Sequence, residues 1–209
     1  MLITQEEVLH ELRKYGISIN GVLHIGAHEC EELDFYTKMG IKSDRIVWID
    51  GNQDKVDWAK TRGIPNVYKA LITDTDDKDI EFHITNNGQS SSILELGTHA
   101  IHHPHIHYTE TRQDKGVTID TFFKRNHLFA NLYDFWNFDI QGAELMALKG
   151  AKDALEFPKA IYIEVNIEEL YKGCSLLPEL DNYLSTYGFR RTLTKITEYG
   201  WGDALYLRI

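Results

Sequence analysis

The sequence predicts an α/β fold with a mostly parallel sheet, helices on both faces and an antiparallel pair of strands at the C-terminal edge. Three observations carry this expectation. Apolar runs alternate with helix-period segments from Gly21 to Tyr187. The runs Gly21 to Ile25, Arg45 to Ile49 and Ala160 to Val165 lack a polar face, as strands covered on both sides do. The chain then closes with Arg190 to Ile196 and Asp203 to Ile209 around Tyr199-Gly200-Trp201-Gly202, the pattern of a terminal antiparallel pair.

Taken in order, Thr4 with Glu7 at the capping-box position and the stripe Val8, Leu9, Leu12 and Tyr15 predict a cover helix within residues 1–20, stopping at Gly16. Gly21 to Ile25 is the first strand. A helix from Cys30 to Met39 follows, closed by Gly40, then a strand from Arg45 to Ile49 and a helix from Asn52 to Arg62. Past the turn Gly63-Ile64-Pro65-Asn66 comes a short strand, Val67 to Leu71, and the alternation of Ile80-Glu81-Phe82-His83-Ile84 suggests a half-exposed strand. Residues 86–116 show no sustained period. They carry Gly88-Gln89-Ser90-Ser91-Ser92, Pro104 and five of the ten histidines, and are expected to form a functional loop region on the substrate side.

Pattern resumes at Val117 to Phe123, a strand leading into a helix. Trp136 to Ile140 ends a buried strand, Gly142 to Lys149 is a helix closed by Gly150, Ala160 to Val165 is a buried strand, and Leu176 to Tyr187 is a helix. No internal repeat appears, and 209 residues with 43% hydrophobic content fit one domain spanning 1–209.

The charge balance, 22 basic against 32 acidic residues, gives −10 and opposes attraction to a phosphate backbone, so nucleic acid is not an expected partner. Cys30 and Cys174 are too few and too far apart for a disulfide framework or a cysteine zinc site, which suits reduced thiols in an intracellular, cytoplasmic protein. The N-terminal residues lack a basic head and apolar core, and no apolar run has the length of a bilayer span, so no membrane insertion is expected. Oligomeric state leaves no mark in the sequence.

One spacing points to a ligand. The run Gly21-Val22-Leu23-His24-Ile25 breaks at Gly26-Ala27-His28, and 24 residues after Gly26 a second apolar run, Ile46-Val47-Trp48-Ile49, ends in Asp50. This is how a Rossmann-like unit builds a nucleoside site: the small-residue turn lets backbone N–H groups approach the ligand, and the strand-end carboxylate accepts hydrogen bonds from ribose hydroxyls. Asp50 could instead cap the helix beginning near Asn52. A nicotinamide-dependent oxidoreductase would share the ribose logic, but Gly26 to Glu31 lacks G-x-G-x-x-G spacing, and Glu29, Glu31 and Glu32 would repel a pyrophosphate.

Together with these residues, Val117-Thr118-Ile119-Asp120, Phe138-Asp139-Ile140-Gln141-Gly142-Ala143-Glu144-Leu145, Leu148-Lys149-Gly150-Ala151 and Ile163-Glu164-Val165 resemble the FkbM family of S-adenosylmethionine-dependent O-methyltransferases, in order from about Gly21 to Asn166. The Asp-Ile-Gln-Gly-Ala-Glu block is the most specific element. His24 stands where the family usually has an acidic residue, His28 where Asn is usual, and Phe138 where Lys is common. The resemblance implies a Rossmann-like class I methyltransferase with a seven-stranded sheet. It places Gly26, Ala27 and His28 at the methionine part of the cofactor, Asp50 at the ribose, Gly51 and Asn52 beside the adenosine, Ala70 and Leu71 near adenine, and Asp139 near the cofactor amino group and the reacting methyl. Gly142 could serve only close helix packing, and Glu144 could lie on a solvated helix face.

Methyl transfer from a sulfonium to an alcohol needs an in-line acceptor and a group that manages its proton. Asp139 is the first candidate for that general base, with the histidines of the 99–107 segment, His103 and His105 among them, as second candidates. His99 and His103 would share a helical face, whereas His103, His105 and His107 would share a side of an extended segment, and neither spacing is a recognised zinc signature. Asp139, Glu164 and Asn166 form an alternative oxygen donor set suited to magnesium, a reading less favoured than a base acting without metal. The family implies a hydroxyl of a sugar or glycan as acceptor, with a deoxyhexose such as rhamnose as one form. Gln89, Ser90, Ser91, Tyr108 and Glu164 are candidate acceptor contacts, and Trp201 and Trp136 offer flat surfaces, although Trp136 precedes a buried strand and suits the core. Another small-molecule hydroxyl such as a polyketide, or a noncatalytic cofactor-binding module, are the competing readings.

Overall fold

The computed structural model describes residues 1–209. A seven-stranded sheet forms the centre, in the order β3-β2-β1-β7-β8-β10-β9. Its strands are β1 (Val22–Ile25), β2 (Ile46–Asp50), β3 (Val67–Lys69), β7 (Phe135–Phe138), β8 (Ala160–Asn166), β9 (Phe189–Ile196) and β10 (Trp201–Arg208). The β3-β2-β1-β7-β8 pairings are parallel, and β10 runs antiparallel to both β8 and β9. The expected fold class is therefore present, with one refinement: β10 inserts between β8 and β9, so the outermost strand again points with the majority.

Burial explains the unbroken apolar runs. All four residues of β1 and all seven of β8 are buried, because helices cover both faces. One face packs against α1 (Gln5–Lys14), α2 (Leu33–Lys38) and α3 (Gln53–Thr61) through Val8, Leu12, Tyr36, Val56 and Ala59. The other packs against α5 (Ile119–Arg125), α6 (Glu144–Lys149) and α7 (Leu177–Ser185) through residues such as Phe122, Leu148, Leu180 and Leu184. The cover helix α1 starts as its sequence dictates: the Thr4 hydroxyl accepts the Glu7 amide at 3.3 Å and the Glu7 carboxylate accepts the Thr4 amide at 2.7 Å.

The region 86–116 departs from the loop expectation. Tyr108–Val117 is a ten-residue strand, β6, paired antiparallel with β5 (Asp79–Thr85) and parallel with β4 (Leu71–Ile72) in a second, three-stranded sheet. Its first eight residues are exposed or half-exposed, so no apolar alternation marks it in the sequence. The expected strand from Val67 to Leu71 is divided by Ala70 between the two sheets. Two helices also start late. Positive φ at His28 and Cys30 keeps the turn after β1 open until Leu33, and positive φ at Gln141 and Gly142 delays α6 to Glu144. No helix is long and apolar enough to cross a membrane, and Cys30 and Cys174 are free thiols.

Candidate active site

Strand order reverses at β1, whose neighbours β2 and β7 feed chain segments in opposite directions, and crevices at such switch points hold ligands. The segments leaving β1 and β7 cross there in contact. Gly26 sits at φ +87°, and a side chain on it would overlap the Asp139 carbonyl. The amides around this turn do not point outward as expected. Those of Gly26 and Ala27 donate to the Ile49 carbonyl at 2.9 and 3.0 Å, and that of His28 donates to Asp50 Oδ2 at 2.7 Å. Gly26 thus serves the close crossing of two backbones, and the turn is tied to the end of β2.

Asp50 also accepts the Asn52 amide on Oδ1 at 2.7 Å. It is not the cap of α3: Asn52 does that itself, accepting the Asp54 amide at 3.1 Å. Burial pushes the Asp50 carboxyl up against the lowering effect of the two amides. Each oxygen keeps a lone pair for a further donor such as a ribose hydroxyl.

A cavity of about 540 Å³ opens at this crossing, lined at one end by Gly26, Ala27, His28, Asp50, Gly51, Ala70 and Leu71. Asn52, assigned to the ligand from the sequence, is not in that lining, because its side chain is engaged in capping. Beside Gly51 stands an apolar wall of Leu71 and Phe82, close enough to exclude any side chain at position 51. A flat heterocycle fits against such a wall.

At the other end Asp139 follows β7 and Glu164 lies near the end of β8. Gln141 Nε2 donates to Asp139 Oδ1 at 2.6 Å and to Glu164 Oε2 at 2.7 Å, while Tyr171 donates its hydroxyl to Gln141 Oε1 at 2.6 Å. Gln141 thus brings the two carboxyl groups together, where their like charges favour one bound proton between them. Glu164, 7% exposed, is driven far above the carboxylate range by burial and by the neighbouring charges of Asp139 and Glu144; Asp139 opens onto the cavity and is exposed, yet the protein packed around it and the charges of Asp203 and Glu32 raise its carboxyl as well. Glu144 is fully buried, not on a solvated face. Its Oε1 accepts the amides of Ile140 and Gly142, both at 3.1 Å. At Gly142, φ +97° and ahead of α6, a Cβ would press on Cys174 and Tyr171, so this glycine serves close packing against the irregular segment after β8, not packing between helices.

The segment 86–107 closes the cavity's side. His99, His103 and His105 line it together, with His99 and His103 ring centroids 4.9 Å apart across the short helix α4 (His99–His102). Burial first, then the neighbouring histidines, lowers His103, and the same causes bring His99 down to about 4. His102 turns aside to Glu168 at 2.7 Å. Gln89, Ser90 and Ser91 line the cavity, but both hydroxyls hold their own turn, Ser90 Oγ accepting from Asn87 and Ser91 Oγ donating to the Gly88 carbonyl.

Tyr108 does not reach the cavity. As part of β6 it stacks on His83 at 4.9 Å, and its hydroxyl accepts the Leu96 amide. Trp136 lies in the core with its indole N–H on the Tyr133 carbonyl, whereas Trp201 lines the cavity. His24 is also outside the lining; it is buried beside Trp48, 3.1 Å from the Tyr36 hydroxyl, and burial lowers it to about 4.

Tyr171 and Asp203 belong to the site without a signal in the sequence. Asp203 faces Glu164 only through the β8–β10 register, and Tyr171 arrives on the irregular segment after β8. No three His, Cys, Asp or Glu side chains converge so as to hold a metal ion. Asn166, the third member of the magnesium set considered from the sequence, is 1% exposed and does not line the cavity.

The methyltransferase FkbM domain matches residues 24–191. No curated protein matches the chain. Among solved structures, magnesium protoporphyrin IX methyltransferase (ChlM) from Synechocystis PCC 6803, with bound S-adenosylmethionine, is 11% identical over 98% of this chain and 78% of its own, at a TM-score of 0.50. The Streptococcus pneumoniae tRNA (m1A22) methyltransferase candidate Sp1610 is 10% identical over 97% of this chain and 69% of its own, at a TM-score of 0.51. A methyltransferase from Aquifex aeolicus is 16% identical over 100% of this chain and 91% of its own, at a TM-score of 0.43. At such identities the likeness is one of fold.

Proposed function

Because the chain belongs to the FkbM methyltransferase family, we propose that it binds S-adenosylmethionine and methylates a hydroxyl oxygen of a sugar or glycan, a deoxyhexose such as rhamnose being one form. The observation that carries the reading is the convergence of two strand-end carboxylates, Asp50 and Asp139, on one cavity at the Gly26 crossing. Asp50 accepts the ribose hydroxyls. Ala70 and Leu71, with Phe82, flank the adenine beside Gly51, and Gly26 and Ala27 border the methionine portion. His28 closes that end of the pocket with its Nδ1 2.7 Å from Glu31.

Once bound, S-adenosylmethionine supplies an activated methyl on a sulfonium with a neutral leaving group. The residues of the chain have two tasks, to orient the acceptor and to take its proton. Asp139 takes it. This residue opens onto the cavity, its carboxyl is raised by the protein and carboxyl groups packed around it, and Gln141, itself held by Tyr171, fixes its Oδ1. Glu164 holds the proton of the pair and so keeps the site's charge from doubling. His103 and His105 stand on the acceptor side as the second candidates for proton removal.

Calorimetry with S-adenosylmethionine and its demethylated product tests the cofactor, and no binding of either would sink the assignment. Labelled S-adenosylmethionine screened against free sugars and glycans, with product linkage read by NMR, tests the acceptor.

A further inference from the structure

Thirty-four residues line the cavity, and none is lysine or arginine, while Glu31, Glu32, Asp50, Asp139 and Asp203 contribute carboxylates and Glu164 a protonated carboxyl group. From this we infer that the sugar ring entering the site carries no anionic group: the acceptor is a free or glycosidically linked neutral saccharide, not a sugar phosphate, a nucleotide-linked sugar or a uronic acid. The inference rests on the sugar-methylating reading proposed above and narrows its substrate class.

Recognition of a phosphate or carboxylate calls for arginine, lysine or a helix N-terminus with unpaired amides. The nearest amides offer none, since those of Gly26, Ala27 and His28 are already bonded to Ile49 and Asp50. Basic residues around the cavity are neutralised. Lys55, which packs by Gly88, is paired with Glu29 at 2.6 Å. Arg112 lies between Glu110 and Asp54, and Lys69 is paired with Asp114. The cofactor's single net positive charge also leaves the excess negative.

The acceptor end offers neutral donors and acceptors in place of cations. His99 is 7% exposed, lines the cavity and has an Nδ1 without a partner, so a ligand hydroxyl can meet it. His99 and His103 are both lowered by burial, His99 next by His103 and His103 next by His105, and stay uncharged at neutral pH. Trp201 supplies an apolar face. Hydroxyl edges and one apolar face are what a neutral pyranose presents, and an anion placed there would lose its hydration with no counter-charge.

The test compares matched acceptors: methyl glycosides of common hexoses and deoxyhexoses, the corresponding sugar 1-phosphates, and the corresponding uronates. Methyl transfer is measured for each, with binding to the protein loaded with S-adenosylhomocysteine as a second readout. The expected result is at least a ~10-fold preference in kcat/KM and in affinity for the neutral member of the pair. That preference should shrink as ionic strength rises, and Gln89→Lys, which places a cation in the exposed lining loop, should narrow it. A phosphate or uronate accepted as well as its neutral partner overturns the inference and leaves sugar methylation standing. If none of the sugars is bound or methylated while S-adenosylmethionine still binds, the sugar reading itself fails and this inference falls with it.

Discussion

The fully buried Glu144 holds Gly142 in place: its Oε1 accepts the Gly142 amide at 3.1 Å, and the same oxygen accepts the Ile140 amide at 3.1 Å. The bend so fixed turns Gln141 into φ +56°, from which its amide spans Asp139 and Glu164. Glu144→Ala strands two buried amides and is expected to destabilise by about 1–3 kcal/mol for each.

The same group sets a pH dependence. Burial pushes its carboxyl up to about 7, with the adjacent amides pulling the other way. Since the folded value lies above the ordinary glutamate value of 4.5, its favourable share of stability is complete below about 4.5 and is lost as pH climbs through about 7. Glu144→Gln keeps the Oε1 acceptor and removes the titration. Urea midpoints should therefore show wild type losing ground to the Gln variant between those limits; parallel curves would contradict the account.

Asp139→Asn should reduce kcat by about 100-fold or more, the range a general base contributes, with S-adenosylmethionine affinity changed by no more than about threefold. Because the surrounding protein and the neighbouring carboxyl groups raise Asp139, the acid limb of the wild-type rate should lie above the ordinary carboxylate range and be absent in the variant. A variant with full rate and an unchanged limb would remove Asp139 from the chemistry.

What the sequence made legible follows from how each residue reaches the site. Asp50 and Asp139 end apolar runs, so strand-end position could be inferred before any pairing was known, and the parallel sheet follows from those same runs. Tyr108 was misplaced because an exposed strand such as β6 has no apolar alternation to mark it. A solvated face is open to Glu144 as long as α6 is taken to start at Gly142; two positive-φ residues shift the start and turn Glu144 inward. Asp203 and Tyr171 could not be found, since one depends on antiparallel register and the other on an irregular segment.

Gly26→Ala tests the backbone crossing, and Gly16→Ala provides its comparison. Both glycines have left-handed φ, +87° and +66°, but Gly16 has no neighbour within 4 Å of a would-be Cβ while Gly26 meets the Asp139 carbonyl. Gly16→Ala should cost only the local strain, about 1–2 kcal/mol. Gly26→Ala should lower the thermal midpoint further and weaken S-adenosylmethionine binding in calorimetry, because the two strand ends must separate. Equal behaviour of the two variants would mean the crossing is not tightly constrained.

At the opposite end of the sheet, Asp134 ties three strand starts together and should govern stability without touching the site. Its carboxylate accepts the Asn20 amide at 2.7 Å, the Asn20 side chain at 2.9 Å, the Gly21 amide at 3.2 Å and the Lys159 ammonium at 2.8 Å. Burial pushes this carboxyl up, but Lys159 and the Asn20 and Gly21 donors outweigh burial and hold it below its ordinary value. A carboxyl depressed in the folded state stabilises above its unfolded pKa and stops doing so as pH falls through the folded one. Asp134→Asn keeps one acceptor but no charge, and should cost about 1–3 kcal/mol at pH near 7. That penalty should shrink in strong acid, where wild type protonates as well. S-adenosylmethionine affinity should match wild type, since Asp134 lies outside the cavity lining. Urea midpoints for both proteins at neutral and acid pH check this: a penalty that stays constant with pH would show that the ammonium and amide bonds do not depend on the carboxylate's charge.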